Sequence, residues 1–68
     1  MSVLKENTVD ILNAEIKKKG VKKKMIAEKV GMTPTYISLV LNKRYKINAD
    51  LALKICSILD LDVKKILR

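Results

Sequence analysis

Between Lys23 and Asn42 the chain reads KKMIAEKVGMTPTYISLVLN, and the end of this stretch holds the side chains with chemistry to offer. Drawn as a helix at about 100° per residue, Thr35, Ser38, Leu39 and Asn42 fall on one side. Ile37, Val40 and Leu41 fall on the other. The first set offers hydroxyls, a carboxamide and an aliphatic group, and no charge. Cations surround it: Lys22, Lys23 and Lys24 before, Lys43, Arg44 and Lys46 after. An uncharged face suits the edges of base pairs in a DNA groove, and its cationic rim suits phosphates. Leu39 can only make apolar contact there, which favours a thymine methyl, and Asn42 has the groups to pair with adenine. Thr33 and Tyr36 flank the face with hydroxyls that reach phosphate. The duller roles are a helix cap for Thr33 and packing on the preceding helix for Tyr36.

Such a face needs two short helices to hold it. Ile26, Ala27 and Val30 form an apolar stripe at helical spacing. Gly31 follows, suited to a left-handed helix end. Thr33 then caps a second helix whose first position takes Pro34. Its buried stripe is Ile37, Val40 and Leu41, and the two helices meet at a sharp turn.

This stretch resembles the helix-turn-helix of Cro and phage-repressor type regulators, the xenobiotic-response-element-like family. The pattern there is a small residue, a Gly four places later, and aliphatics at set places around them. Here Ala27 and Gly31 stand with Ile26, Val30, Met32, Ile37 and Val40. The likeness runs from about Leu12 to Leu67. It implies an all-α, compact five-helix bundle of the lambda-repressor-like type, with helices 2 and 3 forming the motif over about 23–42. It also implies a palindromic operator, bound as a homodimer, with recognition helix 34–42 in the major groove. The sequence departs from the family in three places. Lys22 and Lys23 stand where Ser or Thr and then Gln are usual, so the base contact made by that Gln in relatives does not carry over. Leu41 replaces a Glu. The Gly of the following loop is replaced by Asn42 or Lys43, of which Asn tolerates a left-handed turn better. A lysine cannot cap a helix, and its charge opposes the helix dipole. Bound phosphate would reverse that sign, so the Lys22–Lys23 pair reads as part of a phosphate clamp with Lys43, Arg44 and Lys46.

The rest of the chain reads as helices too. Val9, Leu12 and Ile16 give a first helix its core stripe, capped by Thr8 or Asn7 and ended by Gly20. Residues 1–6 read as a loose end. Asn48 starts a fourth helix over about 49–59, with Ala52, Ile55, Cys56 and Leu59 at core spacing. Asp62 starts a fifth over about 63–67, with Val63, Ile66 and Leu67. Hydrophobic residues stand just before the second to fifth helix starts, as Val21, Met32, Ile47 and Leu61, in position to staple the helix entry. No linker, repeat or strand signal appears, so residues 1–68 read as one domain.

Composition narrows the function further. Residues 1–46 carry 11 basic and 4 acidic side chains, a net of +7; residues 47–68 carry 4 and 3, a net of +1. The basic part suits a polyanion, the near-neutral part packing or self-association. Leu51, Ile58, Val63 and Leu67 widen the apolar surface beyond what one small bundle needs, and they are the expected dimer interface. With 68 residues and only two aromatics, Tyr36 and Tyr45, the core must be aliphatic, with little room for a deep pocket. The chain has no His, scattered acids and isolated glycines, so catalysis, a metal site and a cofactor are not expected. Cys56 stands alone among aliphatics and reads as core. No aliphatic run exceeds three residues and no secretion signal opens the chain, so a cytoplasmic protein is expected.

The expected partners are double-stranded DNA and a second copy of the chain, with no small-molecule ligand and no membrane. No segment reads as an inducer domain, so control falls to concentration, degradation or a protein partner. Two rivals share the fold: an antitoxin-type protein, and a protein-interaction module with weak or non-specific DNA binding. The missing Arg or Gln on the recognition helix favours the latter; the lysine clamp opposes it.

Overall fold

The computed structural model describes residues 3–68. The chain forms α1 (Thr8–Lys19), α2 (Lys23–Val30), α3 (Pro34–Leu41) and α4 (Ala49–Leu59), then a single 3-10 turn at Val63–Lys65. α2 packs on α3, and both lie against α1 or α4, so each helix buries one face. The α2–α3 pair and the span of α4 match what apolar spacing predicts.

The caps explain where each helix begins. Thr33 Oγ1 accepts the Tyr36 amide at 3.1 Å, and Asn48 Oδ1 accepts the Leu51 amide at 2.8 Å. Either bond satisfies one of the donors that a helix start leaves open. At α1 the cap expectation is corrected. Asn7 holds the cap position without a side-chain bond, and Thr8 is already helical and buried. Its hydroxyl lies 2.6 Å from the Lys5 carbonyl and 3.3 Å from that of Ile66, tying α1 to the far end of the chain.

All four α-helices end in one way. A left-handed residue follows the helix, and the next amide reaches back five residues: Val21 to Ile16 (3.1 Å), Met32 to Ala27 (2.9 Å), Arg44 to Leu39 (2.9 Å) and Leu61 to Cys56 (2.9 Å). Gly20 and Gly31 supply the first two left-handed residues, at φ 68° and 74°. Lys43 and Asp60 supply the others, at φ 64° and 54°. Asn42, the better-suited residue, stays at φ −94° because the closing bond places the turn one residue later. A side chain in this region costs about 1–2 kcal/mol. Asp60 also puts a carboxylate at the negative end of α4. Asp60→Gly is therefore expected to stabilise the fold by about 1 kcal/mol, raising Tm by about 4–8 °C. An unchanged or lower Tm in a thermal melt would show that the Asp60 side chain holds a contact of its own.

The core is aliphatic, as composition requires. Leu12, Ile26, Ala27, Ile37, Val40, Ala52, Ile55, Cys56 and Ile66 are completely buried. Leu51 joins them at 1% exposure, which corrects its place in the expected dimer surface: it serves the core of its own chain. Ile58 and Leu67 are half-buried, and Val63 is 37% exposed.

Two further expectations change at the termini. The fifth element is one 3-10 turn, not a helix over 63–67, so the bundle has four α-helices among the described residues. The chain leaves the helical path there because Leu67 pairs with Leu4 in an antiparallel bridge. The Lys5 amide reaches the Ile66 carbonyl at 2.7 Å, and the Arg68 amide reaches that of Val3 at 2.9 Å. Residues 3–6 are thus a bound segment, and Leu4 is buried in the core. The rest of the expected loose end, residues 1 and 2, lies outside the described residues.

Candidate nucleic-acid interface

The candidate face lies on α3, a helix of two turns. Isolated helices this short do not hold in water, so packing fixes its direction. Ile37, Val40 and Leu41 supply that packing from the buried side. On the opposite side Thr35 and Asn42 are exposed and Ser38 and Leu39 half-buried. Leu39 is not among the residues packed on the core cluster. Asn42 Nδ2 donates to Ser38 Oγ at 3.3 Å, one helical turn away. That bond orients both groups and leaves the Asn42 carbonyl oxygen and the second N–H hydrogen available to a base edge.

The flanks carry the cations. Lys22 is the residue before α2, in extended backbone at φ −88°, and its side chain makes no capping bond. The amides of Met25 and Ile26 turn back to the Lys22 carbonyl at 3.1 and 3.2 Å. The earlier N–H groups of α2 point out of the helix start beside Lys22 and Lys23, an arrangement that favours an anion. Lys22, Arg44 and Lys46 are exposed, Lys23 is half-buried, and none of the four forms an ion pair among the described residues. Lys43 does: its Nζ lies 2.8 Å from Asp10 Oδ1 on α1. Thr33, exposed, spends its hydroxyl oxygen on the Tyr36 amide, leaving its O–H hydrogen free to donate.

Lys22→Ser separates capping from anion binding. Serine restores the missing cap, so the fold is expected to gain about 1 kcal/mol. DNA affinity is expected to fall for every sequence alike, with a salt slope flatter by about 0.9 for each phosphate no longer held. Thermal melts and anisotropy titrations read both quantities. A variant that gains stability with unchanged DNA affinity would remove Lys22 from the clamp.

Three features escaped the sequence reading. Tyr36, whose inward packing was one of its two expected roles, meets Tyr45, their ring centroids 5.8 Å apart at 41°, so the two aromatics join α3 to its following loop. Asn13 of α1 donates from Nδ2 to the Leu41 carbonyl at 2.8 Å. Asp10 pairs with Lys43, as above. Each joins a side chain to a partner that residue type alone does not name. An open-sided cleft of about 440 Å³ also lies beside this loop, lined by Leu4, Thr8, Tyr45, Lys46, Ile47 and Arg68 among others. Cys56 takes no part in the face. It is buried, and burial pushes its thiol pKa up, so it stays protonated as a core residue.

Among the described residues no helix is long and apolar enough to cross a membrane. A family model described as helix-turn-helix matches residues 12–66. No curated protein and no solved structure matches the chain.

Proposed function

The chain belongs to the helix-turn-helix regulators of Cro and phage-repressor type, and from that membership we propose that it represses transcription by binding a palindromic operator as a homodimer. DNA binding by a transcriptional regulator is the family's function. The observation that carries the finer reading is the uncharged outer face of α3 between two groups of cations. Thr35, Ser38, Leu39 and Asn42 read base edges; Lys22, Lys23, Thr33, Tyr36, Lys43, Arg44 and Lys46 hold phosphates.

Dimensions argue for two copies. The molecule measures 28 × 23 × 17 Å, and a single helix, α3, offers the reading face. Successive major grooves on one side of B-DNA are about 34 Å apart. One domain therefore reads one half-site, and a palindrome needs a second. With Leu51 withdrawn into the core, Ile58, Val63 and Leu67 remain as the self-association surface.

Leu39→Ala tests base reading. Leu39 lies outside the core cluster, so the fold is expected to persist. Binding to a selected site is expected to weaken by about 1 kcal/mol, and binding to random DNA hardly at all. Equal losses on both DNAs would remove Leu39 from sequence reading. A large drop in Tm would assign it to the core instead.

A further inference from the structure

The reading end of α3 is held from another helix. Three of its last four carbonyls are bonded by the chain that follows: Ser38 by the Asn42 amide (2.9 Å), Leu39 by Arg44 (2.9 Å) and Val40 by Lys43 (3.1 Å). The fourth, Leu41, takes its hydrogen bond from Asn13 Nδ2 of α1 at 2.8 Å, across 28 residues of sequence. Asp10 stands three residues before Asn13, on the same face of α1, and its carboxylate faces Lys43 immediately beyond this helix end. α1 thus touches the point where the reading face stops and the cationic rim begins.

We infer that Asn13 is a positioning residue for DNA reading: it sets the pose of the C-terminal turn of α3, which carries Ser38, Leu39 and Asn42. The inference rests on the function proposed above. The physical reason is leverage. α3 has two turns, and its first is set by the Thr33 cap. Its last turn ends in a left-handed lysine, a conformation that local sequence disfavours. Without Asn13, the Leu41 carbonyl turns to water and the turn loses its tie to α1. Base-edge contacts need side chains held to within about 0.5 Å, whereas phosphate contacts by long lysines tolerate such shifts. Asn13 therefore governs specificity more than affinity, although it need touch no DNA.

Asn13→Ala tests this without changing charge. Two duplexes are needed, one selected from a random library and one scrambled. Thr8→Val serves as the control, since Thr8 ties α1 to Lys5 and Ile66 and lies outside the proposed DNA-contacting residues. In the free protein, amide exchange at Arg44 and Tyr45, both bonded to the Leu39 carbonyl, is expected to quicken in Asn13→Ala and not in Thr8→Val. On DNA, Asn13→Ala is expected to lose about tenfold on the selected duplex and less than about twofold on the scrambled one. Thr8→Val is expected to keep the ratio of the two. Unchanged exchange at Arg44 and Tyr45 would overturn the inference, as would equal losses on both duplexes, which mark a merely structural role. If the wild-type chain selects no duplex, the proposed function fails on its own, and the exchange data alone decide whether Asn13 fixes the helix end.

Discussion

Raising salt from about 50 to about 200 mM is expected to cost one bound domain roughly 500-fold in affinity, and a bound pair about 10⁵-fold. These figures follow from the phosphates that the proposed clamp would hold. In the proposed clamp Lys22, Lys23, Lys43, Arg44 and Lys46 would hold five per domain, and each would contribute about 0.9 to the log–log slope through counterion release. One domain then has a slope of about −4.5 and two about −9. One ion pair moderates this. Lys43 already faces Asp10 at 2.8 Å, so its charge is partly met before DNA arrives, and the slope is expected to fall short by up to about 0.9 per domain. Asp10→Asn restores that share and steepens the slope. The pair is exposed on both sides, so its removal hardly alters stability. Anisotropy titrations at four or five salt concentrations read the slope directly. A flat dependence would remove the clamp altogether.

The second large effect concerns the pairing of two copies. Val63 sits on the 3-10 turn, 37% exposed, in the near-neutral part of the chain that also holds half-buried Ile58 and Leu67. Val63→Glu adds a charge there without entering the core. On a palindromic duplex the variant is expected to lose about 10² or more in affinity, because the second copy no longer binds as part of a linked pair. On a single half-site it is expected to bind like the wild type. Sedimentation at micromolar concentration reads the same event in free protein. A wild-type chain that is strictly monomeric, both free and on DNA, would refute the homodimer.

Much of the fold was legible because it rests on short-range rules. Apolar spacing named the buried faces of all four α-helices, and Thr33, Asn48, Gly20 and Gly31 marked ends that side-chain chemistry alone predicts. Asp60 was not legible as a left-handed residue, and of the two candidates Asn42 and Lys43 side-chain preference favoured the wrong one, since packing imposes that conformation on side chains that resist it. Leu51 failed for a different reason. An apolar residue beside a core stripe suits either an interface or a wide core, and only the place of α4 among its neighbours decides. The terminal bridge between Leu4 and Leu67 was out of reach because it joins residues at opposite ends of the chain.

At the candidate interface the sequence named the outward face of α3 through periodicity, and the structure keeps Ile37, Val40 and Leu41 on the inward one. The supports of that face were hidden. Asn13 is a polar residue next to the core stripe of α1, and nothing in its neighbourhood names Leu41 as its acceptor. Tyr45 in the loop gives no sign that its ring meets Tyr36. These are tertiary facts, and a single sequence records the side chain but not its partner.

Everything proposed for the operator rests on the outer face of α3 reading sequence. Selection of bound duplexes from a random library with the wild-type chain is the experiment that decides this. Enrichment of an inverted repeat is expected, with half-sites centred about 10 base pairs apart and A·T pairs where Leu39 and Asn42 reach the groove. A chain that binds the library yet enriches no sequence over successive rounds would contradict it.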